Sequence, residues 1–153
     1  VKLKSNLARK PQGNDRDQVK AIYAGVCDLS IGNHYYYFKM MDDPNQIVWL
    51  EKVSPIFPNQ DSYGSHVNIS GIAIISEKNF DASLDFLEFL LSDEAQKIYA
   101  NDNNEFPVNP NVSASERVQA LANNAKFDSI DLQEIASNRK TVLDILQKIN
   151  FDG

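Results

Sequence analysis

Two adjoining stretches set the tightest limit on the fold. Val67-Asn68-Ile69-Ser70 alternates apolar and polar residues, and Ile72-Ala73-Ile74-Ile75 then runs apolar without a break. A half-exposed strand that becomes fully buried in a sheet has this pattern, because successive strand side chains point to opposite faces. Such a strand suits a crossing between two lobes.

Helical patterns lie on both sides of it. Val19, Ile22, Tyr23 and Val26 recur at helical spacing behind Asn14, a natural N-cap, with Asp15 and Asp17 at the positive helix start. Leu84, Leu87 and Leu91 predict another helix, and Ser92-Asp93-Glu94 opens the next, with Ile98 and Tyr99 facing inward. Ser113 and Glu116 have capping-box spacing, and Asp131 with Glu134 repeats it. The latter pair precedes a stripe of Ile135, Arg139, Val142, Leu143, Leu146 and Ile149, which must pack against another element. Strands are expected at 27–31 and 46–53, and a loop where Pro55, Pro58, Asn59, Asp61 and Gly64 crowd together. Strands alternating with helices define an α/β class, in which ligands collect at strand ends and helix starts.

Charge and apolar run length exclude whole classes of function. A formal charge of −6 opposes a surface built for phosphate backbones, so nucleic acid is not an expected partner. The longest apolar runs fall well short of the ~20 residues that span a bilayer. The single cysteine, Cys27, has no internal partner and is expected in the core. His34 and His66 lack zinc-site spacing and suit polar surface or loop positions, and no phosphate loop, nucleophile elbow or carboxylate pair supports an enzyme.

The remaining chemistry lies in Asn33-His34-Tyr35-Tyr36-Tyr37, where a strand is expected to end and a helix to begin, running to about Met41. Free backbone N–H groups and the helix dipole stabilise negative charge at such a junction. A tyrosine with a pKa of roughly 10 becomes an anionic ligand only when a cation displaces its proton. A hard ferric ion suits phenolate oxygen. Three aromatics at a helix start also serve as core or lobe-interface residues.

Several stretches carry a resemblance. They are Asn6-Leu7-Ala8-Arg9-Lys10-Pro11-Gln12-Gly13-Asn14-Asp15-Arg16-Asp17-Gln18, Cys27-Asp28-Leu29, Gly32-Asn33-His34-Tyr35-Tyr36-Tyr37, His66-Val67-Asn68-Ile69-Ser70-Gly71 and Glu105-Phe106-Pro107-Val108-Asn109-Pro110. Together they resemble the iron(III)-binding class of type II periplasmic binding proteins, the receptors of ABC importers. The match corresponds to the C-terminal half of such a protein.

The resemblance implies two phenolate ligands to Fe³⁺, Tyr35 and Tyr36. It also implies a synergistic anion, carbonate or phosphate, beside Arg16 and Asn33. Tyr37 matches a third tyrosine common in one subgroup, where packing or a hydrogen bond is expected. Phe38 stands where many relatives have a small residue. By the same resemblance, residues 1–66 belong to the second lobe with the tyrosine motif. Residues 67–112 form a hinge strand and a first-lobe segment, and the helices of 113–153 pack back on the second lobe. The implied function is periplasmic or extracytoplasmic delivery of ferric iron to a permease, through which alone the protein meets the membrane. A receptor for another small anion or organic solute, or a protein-interaction module without metal, are the alternatives the residues leave open.

Overall fold

The computed structural model describes residues 2–151. Its elements are α1 (Lys2–Ser5), α2 (Asp15–Tyr23), α3 (His34–Met41), a 3-10 helix (Ile47–Lys52), α4 (Phe80–Leu91), α5 (Asp93–Asp102), α6 (Glu116–Leu121) and α7 (Leu132–Lys148).

Local capping explains where three of these helices, α2, α5 and α7, begin. Asn14 accepts hydrogen bonds from the Arg16 and Asp17 amides at 3.0 and 3.3 Å, while Asp17 Oδ2 accepts from the Asn14 amide at 2.8 Å. This reciprocal box satisfies N–H groups that lack intrahelical partners. Ser92 caps α5 through the Ala95 amide, and Asp131 caps α7 through the Gln133 amide. The Ser113 start is displaced: α6 has Ser115 at its N-cap position, and Ser115 Oγ turns to Asn104 instead. At the far end of α7, Lys4 Nζ donates to the carbonyl of Ile149 at 2.7 Å and also to that of Asn150, placing a cation at the negative helix terminus.

The strand component is much smaller than the sequence predicts. Among the described residues it is one isolated parallel bridge, between Ser65 and Phe127. Ser65 donates to the Lys126 carbonyl at 2.9 Å and accepts from the Asp128 amide at 2.8 Å. A strand requires a neighbour for its N–H and C=O groups, and segment 67–75 meets none here. Its apolar side chains stay open, with Ile69 at 53% and Ile75 at 95% exposure. Segment 27–31 likewise forms no ladder among the described residues, and Cys27 is only half-buried. The strand expected at 46–53 is replaced by the 3-10 helix. Asp43 Oδ1 accepts from the Asn45 amide, and the Asp43 carbonyl accepts from Gln46 and Ile47, which winds the chain into a turn.

The core is correspondingly divided. Helix α2 packs on α3 and the 3-10 helix, and α4 packs on α5. Ala21, Phe38, Met40, Ala95, Ala100, Val112 and Val118 are its buried apolar side chains. The stripe of α7 is not covered among the described residues, where only Leu146 and Ile149 are half-buried. A series of rings joins distant segments: Phe57 to Phe127 at 5.3 Å, Phe127 to Phe106 at 5.5 Å, and Phe106 to His34 at 5.1 Å between centroids.

Candidate metal centre

The starts of α2 and α3 are drawn together by one carboxylate. Asp15 Oδ1 accepts from the Asn33 amide at 2.8 Å and from Asn33 Nδ2 at 3.3 Å. Asn33 is the N-cap residue of α3 by position, yet its side chain does not cap the helix. Its Oδ1 instead accepts from Asn68 Nδ2 at 3.0 Å, which brings segment 67–75 to the same place. Two helix N-termini, each a positive dipole end, therefore converge near the tyrosines.

Tyr35 and Tyr36 are partly buried, with ring centroids 4.6 Å apart and planes inclined at 41°. The Arg16 guanidinium carbon lies 5.8 Å from the Tyr36 ring centroid, and Lys39 Nζ lies 5.9 Å from that of Tyr35. Tyr37 is set apart from this pair, packing edge-on against Phe38 at 5.8 Å. The structure thus gathers Arg16, Asn33, Tyr35 and Tyr36, and gives Tyr37 a packing contact.

The surroundings of Tyr35 favour its protonated phenol. Burial, above all, pushes the Tyr35 pKa above its ordinary value, followed by hydrogen bonding with the Tyr36 side chain and the negative charges of Tyr36, Asp15 and Glu105. The carboxylates of Asp15 and Glu105, lesser contributors to that rise, also attract a cation. Among the described residues no three His, Cys, Asp or Glu side chains cluster as a metal site.

His34 departs from the surface role read from sequence. Its Nε2 lies 2.8 Å from the Asn104 carbonyl oxygen, its ring packs on Phe106, and burial holds its pKa below the usual imidazole range. Sequence reasoning also missed Asp15, Asn68 and Glu105 as site residues. Asp15 reads as an ordinary acidic helix start, Asn68 as the polar phase of a strand, and Glu105 has no local pattern. Their convergence is tertiary.

Comparison with known proteins places this geometry. The model of a family described as bacterial extracellular solute-binding protein matches residues 23–126. Iron uptake protein A2 of Synechocystis sp. is 47% identical over 115 residues, covering 72% of this chain and 33% of that protein. The crystal structure of Pasteurella haemolytica apo ferric ion-binding protein A superposes with a TM-score of 0.92 at 44% identity, covering 99% of this chain and 47% of that one. A Trichodesmium protein solved in complex with iron and citrate superposes with a TM-score of 0.81 at 33% identity, over 95% and 47% of the respective chains. The chain thus spans less than half the length of these relatives, and fits that part of their fold closely. With the family match running through the tyrosine helix and across most of the sequence, the chain belongs to the bacterial extracellular solute-binding proteins.

Proposed function

We infer that this chain is the ferric-iron-binding part of a two-lobed extracytoplasmic receptor that delivers Fe³⁺ to an ABC transporter permease. The observation that carries the reading is the side-by-side pair of partly buried phenols, Tyr35 and Tyr36, set where two helix starts meet. Ferric iron is hard and strongly acidic enough to displace both phenolic protons, giving two tyrosinate ligands. The similarity to proteins named for iron uptake and ferric ion binding supports that choice of cargo.

Arg16 and Asn33 serve the accompanying anion. The guanidinium beside Tyr36 offers a two-pronged donor, and Asn33 Nδ2 keeps one hydrogen beyond the one given to Asp15. Carbonate or phosphate fits these donors, and the citrate in the Trichodesmium structure adds a carboxylate to the candidates. Tyr37 supports the helix by packing.

The lobe assignment follows the same reading. Residues 1–66 and the helices of 113–153 form the second lobe, supported by the Ser65–Phe127 bridge and the Lys4 contact with the end of α7. Residues 67–112 supply the hinge and part of the first lobe. Closure of the lobes over the ion completes its coordination, and the closed form is what a permease would recognise. The periplasm is the matching location.

The test is a titration of the protein with ferric salt in the presence of carbonate, phosphate or citrate. A visible phenolate-to-iron charge-transfer band is expected, and it disappears in the Tyr35→Phe, Tyr36→Phe double variant. A colourless ferric mixture would reject the assignment. Stabilisation by an organic solute, with none by iron, would assign the tyrosines to stacking instead.

A further inference from the structure

Helix α3 is held from outside at both ends and in the middle. Asn104 is fully buried, with its backbone in the left-handed region at φ 58°. Its carbonyl oxygen lies 2.8 Å from Nε2 of His34, the first residue of α3. Its side-chain oxygen accepts from Arg117 Nε at 2.5 Å. The two terminal nitrogens of Arg117 donate to the two carboxylate oxygens of Asp42, the C-cap of α3, at 2.8 and 2.7 Å. The same guanidinium lies 5.2 Å from the ring centroid of Phe38, inside the helix.

This clamp carries a cost. Asn104 Nδ2 is buried without a hydrogen-bond partner, a condition uncommon in folded proteins. Turning the amide over gives no relief, because it would set a donor against Arg117 Nε. Phe38 and Met40 are the buried side chains of α3 and hold it in place by packing. What the clamp adds is direction: it fixes the rotation of α3 about its axis and hence the bearing of residues next to His34.

We propose that Arg117, acting with Asn104, is a positioning residue that sets the mutual orientation of Tyr35 and Tyr36. Its bearing on cargo rests on the reading of those tyrosines as ferric ligands. Arg117→Lys keeps the charge but loses the planar fork that serves three acceptors at once. Asp42→Asn, at the exposed end, weakens the same clamp with little risk to folding.

The experiment compares nuclear Overhauser cross-peaks between the Tyr35 and Tyr36 rings in metal-free protein, then the ferric charge-transfer band and affinity. In Arg117→Lys the ring cross-peaks weaken at least twofold, the band shifts, and ferric affinity falls about tenfold, the scale of an outer-shell change. Asp42→Asn moves the same readouts in the same direction and decides the matter should Arg117→Lys fail to fold. Unchanged cross-peaks in a folded variant would overturn the proposal, even if its melting temperature drops. A wild type that gives no ferric band, while Arg117→Lys still alters the cross-peaks, removes the ligand reading and leaves the positioning role standing.

Discussion

Asp42 receives both terminal nitrogens of Arg117, at 2.8 and 2.7 Å, across 75 positions of sequence. Hydrogen bonding from Arg117 holds the Asp42 carboxyl below its ordinary value. A carboxylate depressed in the folded state contributes stability that is present above the unfolded value, near pH 4, and lost as pH falls through the folded one. Asp42→Asn should therefore be less stable at neutral pH by up to about 1 kcal/mol, the range of an exposed pair. The difference should shrink toward zero on acidification, as urea denaturation at pH 7 and below pH 3 would show.

Iron binding should weaken on acidification, as at a carboxylate site, but the dependence should extend to higher pH because phenols release their protons less readily. If two phenols ionise on binding, about two protons leave per ferric ion, and apparent affinity weakens by up to about a hundredfold for each unit of acidification. Each single Tyr→Phe change at 35 or 36 should halve the proton release measured by pH-stat. Release that stays the same in both single variants would contradict the coordination.

Gly64 occupies a place that only glycine fits. Its φ is +97°, and a Cβ there would stand 2.7 Å from the Lys126 carbonyl oxygen, against the bridge of Ser65 with Phe127. Gly64→Ala should cost roughly 2 kcal/mol or more through backbone strain and loss of that bridge. Chemical denaturation and amide exchange at Ser65 and Asp128 would register it.

Segment 67–75 leaves a run of apolar side chains open, Ile69 and Ile75 among them. Such a surface with unpaired backbone groups invites association between copies. The chain by itself should self-associate at micromolar concentration. Ile69→Lys with Ile75→Lys should suppress this in sedimentation experiments without lowering the melting temperature.

The helices were readable because capping and 3.6-residue periodicity are local. Asn14, Ser92 and Asp131 cap the helices that follow them, as their residue types dictate. The strands were not, because a ladder depends on a partner. The alternation at 67–70 is genuine, and yet no neighbour meets it among the described residues. At 46–53 the Asp43 side chain and carbonyl outweighed β-propensity. The tyrosine run could be found in sequence as chemistry, but its setting could not. Asp15, Asn68 and Glu105 reach it from three separate segments, and His34 is drawn inward by a carbonyl 70 positions away.

The ring contacts from Phe57 through Phe127 and Phe106 to His34 bear on how the molecule moves. Two of these contacts are edge to face and the third is tilted, arrangements that resist sliding of one ring past the next. A push on the loop at Phe57 is thus passed to the tyrosine helix as a displacement, not absorbed as slack. Loop, bridge and helix are therefore expected to move as one block, with bending left to the stretch around Ile72, where no ring contact is found among the described residues.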